Sequence, residues 1–224
     1  MKLPISNRLL TCCGFVAPGD RVADIGCDHG YLGIYLLMNQ IASSVIASDV
    51  RPGPLQCAVI NSKKFGVEDR ISFYLSDGVR GIPRDFSTLV CAGMGADTMV
   101  SILEGAPWLR SSQYRLILQC QSKRPMLRRY LAEHGFRISR ETLAKDGRFL
   151  YPVMEVYYDP GPVPAPWEFY ISPQLLNDHS PLLPEFLARV IGALEESVKG
   201  MARSGRQAQE LTEILEHLHA LERK

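Results

Sequence analysis

At 224 residues, with 46% apolar side chains, the chain is long enough to enclose a core as one large domain or one domain with a small appendage. Lys plus Arg number 25 against 24 Asp plus Glu, which excludes a uniformly basic nucleic-acid binder, so any site for a polyanion must come from a local excess. The six cysteines (Cys12, Cys13, Cys27, Cys57, Cys91, Cys120) lack C-x-x-C spacing, and the N-terminal "MKLPISNRLL" is too poor in apolar residues for a secretory leader. With no run approaching a membrane span, the expectation is a cytoplasmic protein with reduced thiols, no metal and no membrane partner.

Five short apolar runs read as strands buried on both faces: Arg21 to Gly26, Ser44 to Asp49, Ile71 to Asp77, Thr88 to Met94 and Tyr114 to Gln119. Between them "YLGIYLLMNQ", "GPLQCAVINSKKFG", "GADTMVSILEGA" and "RPMLRRYLAEHG" have helical patterning, two of them closed by a glycine of the C-cap kind. This βαβ succession predicts an α/β fold, a parallel sheet covered by helices with ligands at the carboxyl ends of its strands. The next stretch, "FRISRETLAKDGRFLYPVMEVYYD", holds two β-rich runs joined at Asp146-Gly147, so the sheet is expected to end in an antiparallel hairpin.

Four prolines in "DPGPVPAPW" favour an extended linker, which places a boundary between a domain over 1–160 and a helical domain over 161–224. In the tail, Leu183, Leu187, Val190, Leu194, Val198 and Met201, then Leu211, Ile214, Leu218 and Leu221, step by three and four. The break at "RSGRQ" predicts an antiparallel helical hairpin. Its apolar stripe serves equally as a coiled-coil seam or as a cover for the main domain.

The turn after the first strand, "ADIGCDHGYL", has the form D-x-G-x-D-x-G. Its glycines allow a ligand to approach the backbone, but Asp24 and Asp28 would repel a pyrophosphate; a ligand carrying an amino group and a sulfonium, such as S-adenosylmethionine, suits them. Asp28 could also simply cap the following helix. Asp49 closes the second strand where nucleotide-binding sheets place a carboxylate on ribose hydroxyls, and Asp77, followed by Gly78, could accept from an exocyclic amine. "AGMGAD" after the fourth strand supplies the small residues Ala92, Gly93 and Gly95 around Met94, beside which an acceptor could reach the donor methyl. The [DN]-P-P-[YFW] signature of exocyclic-amine methylation is absent, leaving a ring nitrogen or another acceptor open.

Together "ADIGCDHGYL", "IASDV", "SDG", "AGMGA", "LILQ", "ISNRL" and "SPLLPEFL" resemble the bacterial tRNA (adenine-N1)-methyltransferases that act on position 22, over nearly the whole chain. The resemblance implies a class I Rossmann-like methyltransferase domain followed by a helical coiled coil. It implies S-adenosylmethionine as cofactor, bound around Asp24, Gly26, Asp28, His29, Gly30, Asp49, Asp77, Gly78 and Ala92 to Met94, and tRNA as partner. Arg8 in "SNRL" stands where the family has a basic residue near the cofactor opening. The chain departs from the family at Ala96 (A-G-M-G-G), at Gly33 (Y-L-P), and at "LQCQ", where the family has L-Q-P-N and Gln121 offers an amide one bond displaced.

Adenine N1 carries no proton, so its methylation needs no strong base, and positioning should dominate. A carboxylate accepting from N6 would raise electron density at N1, and Asp28 is the residue expected in this catalytic role. For RNA phosphates the sequence offers ten basic residues between Arg110 and Arg148, with Arg124, Arg128 and Arg129 foremost. Alternative readings keep the cofactor with another RNA or a small-molecule acceptor, or make the chain a non-catalytic RNA-binding protein; a dinucleotide-dependent dehydrogenase fits the glycine turn poorly. No oligomeric state is specified, a monomer being the favoured expectation.

Overall fold

The computed structural model describes residues 2–203 and 208–223. After a first helix α1 (Asn7–Cys13), capped by the Ser6 hydroxyl, strands and helices follow one another, with a helix after every strand but β3: β1 (Asp20–Ile25), α2 (Tyr31–Met38), β2 (Ala42–Asp49), α3 (Pro52–Lys64), β3 (Ile71–Leu75), β4 (Thr88–Met94), α4 (Ala96–Glu104), β5 (Arg115–Cys120) and α5 (Arg124–Glu133). The hairpin β6 (Phe136–Asp146) and β7 (Phe149–Tyr158) completes one seven-stranded sheet of order β3-β2-β1-β4-β5-β7-β6. Strands β1 to β5 pair in parallel, while β7 joins β5 antiparallel and β6 joins β7 through the two-residue turn at Gly147 and Arg148.

Continuous apolar runs make these strands because both faces are covered. Ala23, Ile25, Leu89, Leu116 and Leu118 face α4 and α5 through Met99, Leu103, Leu127 and Leu131. Val22, Val45, Val90 and Ile117 face α1 and α2 through Cys12, Leu32 and Leu36. Chain order reverses between β1 and β4, and the crevice at their carboxyl ends is where open α/β sheets bind ligands.

Residues 159–165 form neither helix nor strand. Beyond them α6 (Pro173–Asn177) leads to α7 (Leu183–Arg203) and α8 (Gln209–Glu222). The stripe that predicts a seam serves both purposes named above: Leu187, Val190 and Leu194 share a core with Ile214 and Leu218 of α8, and the same core takes in Leu143 and Leu150 from the hairpin tip and Phe186 from α7. Apart from Arg203, the break at "RSGRQ" lies outside the described residues. Among the described residues no helix is long and apolar enough to cross a membrane, no three His, Cys, Asp or Glu side chains gather as a metal site, and all six thiols are free.

Candidate functional site

A cleft of about 340 Å³ lies at the ends of β1, β2 and β4, closed on one side by α1 and on another by the turn after β5. Gly26 and Gly93 form its floor, at φ +70° and +84°; a Cβ on Gly26 would lie 2.3 Å from Met94 Cε, and one on Gly93 would lie 3.0 Å from Arg8 Nη1. Both glycines therefore serve backbone shape and close approach together.

The carboxylates are distributed unevenly around this floor. Asp49 is buried, and both its oxygens hold backbone: Oδ2 accepts from the Asp28 N–H at 3.2 Å and Oδ1 from the Arg51 N–H at 2.9 Å. Asp77 is exposed on the cleft wall, 3.3 Å from Arg80. Asp24 lies beneath the loop, buried, with Oδ2 lacking a partner. Burial pushes its carboxyl up to about 7, the Gly33 N–H working against this and the Asp49 charge adding to it. Asp28 takes left-handed backbone at φ +49° and lines the cleft with its side chain 58% exposed, the His29 ring standing 3.8 Å from its carboxylate. It caps nothing, since Gly30 occupies the N-cap of α2 with no side-chain bond.

Asp28, Asp49, Asp77, Gly26, Gly78, Ala92, Gly93, Met94, Arg8 and Gln121 are thus brought together on one cleft. Asp24, buried, is not on its lining, and neither are His29, Gly30 and Gly95. His29 tilts against Tyr31 at 5.8 Å, Gly30 is small because Ala58 of α3 would stand 2.9 Å from its Cβ, and Gly95 caps α4 against the Ser122 hydroxyl. The basic stretch needs a larger correction. Arg128 is buried against Glu141 and donates to the carbonyls of Phe169 and Tyr170 at 2.9 Å each, so it joins α5 to β6 and the tail and is closed to a phosphate. Arg129 pairs with Glu210 of α8 at 3.1 Å, away from the cleft, and Arg124 opens into a neighbouring cleft. Six of the ten cations, Arg115, Lys123, Arg128, Arg129, Arg137 and Lys145, are ion-paired, so the sequence excess is not a continuous phosphate track.

Two contributors escaped the sequence reading. Gln119, fully buried at the end of β5, accepts from both the Gly93 N–H and Arg8 Nη1 at 2.9 Å, fixing the turn after β4 and the arginine above it. A lone amide in the apolar run "RLILQC" was its signal. Val50, 62% exposed beside Asp49, adds an apolar face to the cleft lining, to which Ile102 also contributes.

Residues 5–154 match the family model described as a methyltransferase domain. Over 154 residues the chain is 30% identical to the tRNA (adenine(22)-N(1))-methyltransferase of Bacillus subtilis, covering 68% of this chain and 65% of that protein, so it spans a little under two thirds of that relative's length. Over 160 residues it is 31% identical to a protein of Mycoplasma genitalium provisionally named a tRNA methyltransferase, covering 70% of this chain and 71% of that one. A crystal structure from Streptococcus pneumoniae, provisionally named a tRNA (m1A22) methyltransferase and solved with S-adenosyl-L-methionine, superposes at a TM-score of 0.82 with 29% identity, covering 94% of this chain and 99% of that one. The chain belongs to the methyltransferase-domain family and is a relative of bacterial tRNA methyltransferases.

Within this methyltransferase family the cleft has a direct chemical meaning. An unpartnered buried oxygen on Asp24 fits a cationic amino group, the Asp49 carboxylate has lone pairs left for vicinal hydroxyls, and Val50 with Ile102 fits the faces of a purine. At the departure from the family's Pro-Asn, the Gln121 N–H donates to the Met94 carbonyl at 2.8 Å, which ties this turn to the one after β4.

Proposed function

We propose that the protein transfers a methyl group from S-adenosylmethionine to N1 of the adenine at position 22 of tRNA. The observation that carries this reading is the convergence of Asp28, Asp49 and Asp77 on one cleft floored by Gly26 and Gly93, with the unpartnered Asp24 oxygen beneath, in a chain of this family. Bound there, the cofactor supplies an electrophilic methyl group.

The side chains divide the remaining work. Asp24 takes the amino end, Asp49 the ribose hydroxyls and Asp77 the exocyclic amine of the cofactor's purine. Arg8, held by Gln119, offers the cation for a carboxylate. Asp28 is left facing outward at the mouth, placed to accept from N6 of the incoming adenine and to stabilise the positive charge that arrives on that ring. No residue has to remove a proton from N1, so alignment supplies most of the rate, about 7 to 11 kcal/mol in well-oriented reactions.

The test is nucleoside mass mapping of an unmodified tRNA transcript after incubation with protein and isotopically labelled cofactor. N1-methyladenine at position 22, and its loss when that position carries guanine, is the expected result. Label at another position or none would overturn the reading.

A further inference from the structure

A second cleft, about 260 Å³, opens beside the first, between the turn from β5 into α5 and the face of α7. Gln121 borders both. The charged residues of its lining are Lys123, Arg124 and Arg189, and no carboxylate is among them. Lys123 reaches Asp97 at 3.0 Å and Arg189 reaches Glu185 at 2.5 Å, a carboxylate that Lys145 also approaches at 3.1 Å. Ser122 and Tyr170 add neutral hydroxyls, while Ser197 donates to the Ala193 carbonyl at 2.9 Å.

Arg124 stands apart from these two. It is half-buried, 5.0 Å over the Phe186 ring, and it forms no ion pair among the described residues. Burial and then the like charge of Arg128 act against its cation, and Glu141, an acid whose charge supports it, is already engaged by Arg128 and Ser172. A half-buried guanidinium in this position lacks an anion, and its planar fork matches phosphate oxygens better than an ammonium does.

We infer that this cleft seats an RNA phosphodiester next to the reacting base, with Arg124 as its central ligand and Arg189 and Lys123 closing over it. The inference rests on the methyl-transfer reading above and deepens it. An adenine in a folded tRNA must leave its stack before it can reach the cofactor cleft, and the strand beside it then has to be held. Because Gln121 borders both clefts, a base entering past it leaves its own phosphate beside Arg124. Arg189 comes from the helical tail, so the tail completes the seat.

The experiment measures tRNA affinity of the full chain by fluorescence anisotropy across a salt series, with cofactor affinity by calorimetry as the check on folding. Arg124→Gln and Arg189→Gln should each weaken RNA binding, Arg124→Gln by about tenfold, and each should reduce the slope of log affinity against log salt by about 0.7 to 0.9. Cofactor affinity should hold, and Lys64→Gln, a cation on α3 outside both clefts, should leave the slope unchanged. If Arg124→Gln loses cofactor binding, Arg189→Gln and Lys123→Gln decide the matter by the same slope. Wild-type slopes in these variants, while the wild-type protein still methylates tRNA, would overturn the seat and leave the proposed function standing. A wild-type protein that neither binds nor methylates tRNA would overturn both.

Discussion

The backbone N–H of Asp28 donates to Oδ2 of Asp49 at 3.2 Å, so the loop after β1 and the end of β2 are one unit. The carboxylate expected to hold a ribose is also the one that sets the left-handed turn presenting Asp28. Replacing Asp49 by alanine removes both functions.

Asp49→Ala is therefore expected to weaken S-adenosylmethionine binding by about 1 to 3 kcal/mol, the loss typical of a hydrogen-bonded charged partner. The Asp28 amide should exchange faster with solvent, since its acceptor is gone. Calorimetry and amide exchange read the two effects separately. Unchanged affinity with a loosened amide would reduce Asp49 to a loop tie.

Asp24 predicts a pH dependence. Unfolded, its carboxyl titrates near 3.8; burial holds it near 7 in the folded protein. Between those values the folded state keeps a proton that the unfolded chain has released, so stability falls as pH rises through the window, and the penalty is complete above the upper value. Asp24→Asn cannot ionise. Its stability relative to wild type should increase from pH 5 to pH 8, by roughly 2 kcal/mol, and a cationic ligand at the free oxygen should shrink that difference. Thermal unfolding at both pH values, with and without S-adenosylmethionine, measures it. A difference independent of pH would show that Asp24 is not perturbed.

The sheet was legible because parallel strands buried on both faces appear as unbroken apolar runs, and the carboxylates at their ends stand out against those runs. Helix α1 was not, since "NRLLTCC" is a single short element with little periodicity to read, although Ser6 marks its start. The basic stretch misled for a different reason. Its compensating charges, Asp20, Asp97, Asp159, Glu185 and Glu210, lie outside the stretch and approach only through the fold, and Glu141, although within it, reaches Arg128 only when β6 packs beside α5. Gln119 likewise acquires meaning only when Gly93 and Arg8 arrive beside it.

Arg128 turns that correction into a measurement. Arg128→Met leaves Glu141, fully buried, without its cation, and the loss should be about 3 to 5 kcal/mol in urea unfolding. Removing the acid too, in Arg128→Met with Glu141→Leu, should recover much of the loss because no uncompensated charge remains. A phosphate contact would behave differently, with stability unchanged and the salt dependence of RNA binding reduced.

Asp28→Asn separates catalysis from architecture. Asparagine tolerates the left-handed backbone that this position requires, and no helix cap is lost, because Gly30 holds that place. What disappears is the negative charge at the cleft mouth. If Asp28 accepts from N6 of the target adenine, its contribution grows as positive charge arrives on the ring, so it favours the transition state over the ground state. Single-turnover methyl transfer at saturating tRNA should then fall by about 10²- to 10³-fold, the range for removing one charge-stabilising group, with cofactor affinity little altered. Transfer near the wild-type rate would leave alignment alone to account for the chemistry. A collapse of cofactor affinity instead would place the Asp28 carboxylate on the cofactor's amino group, beside Asp24.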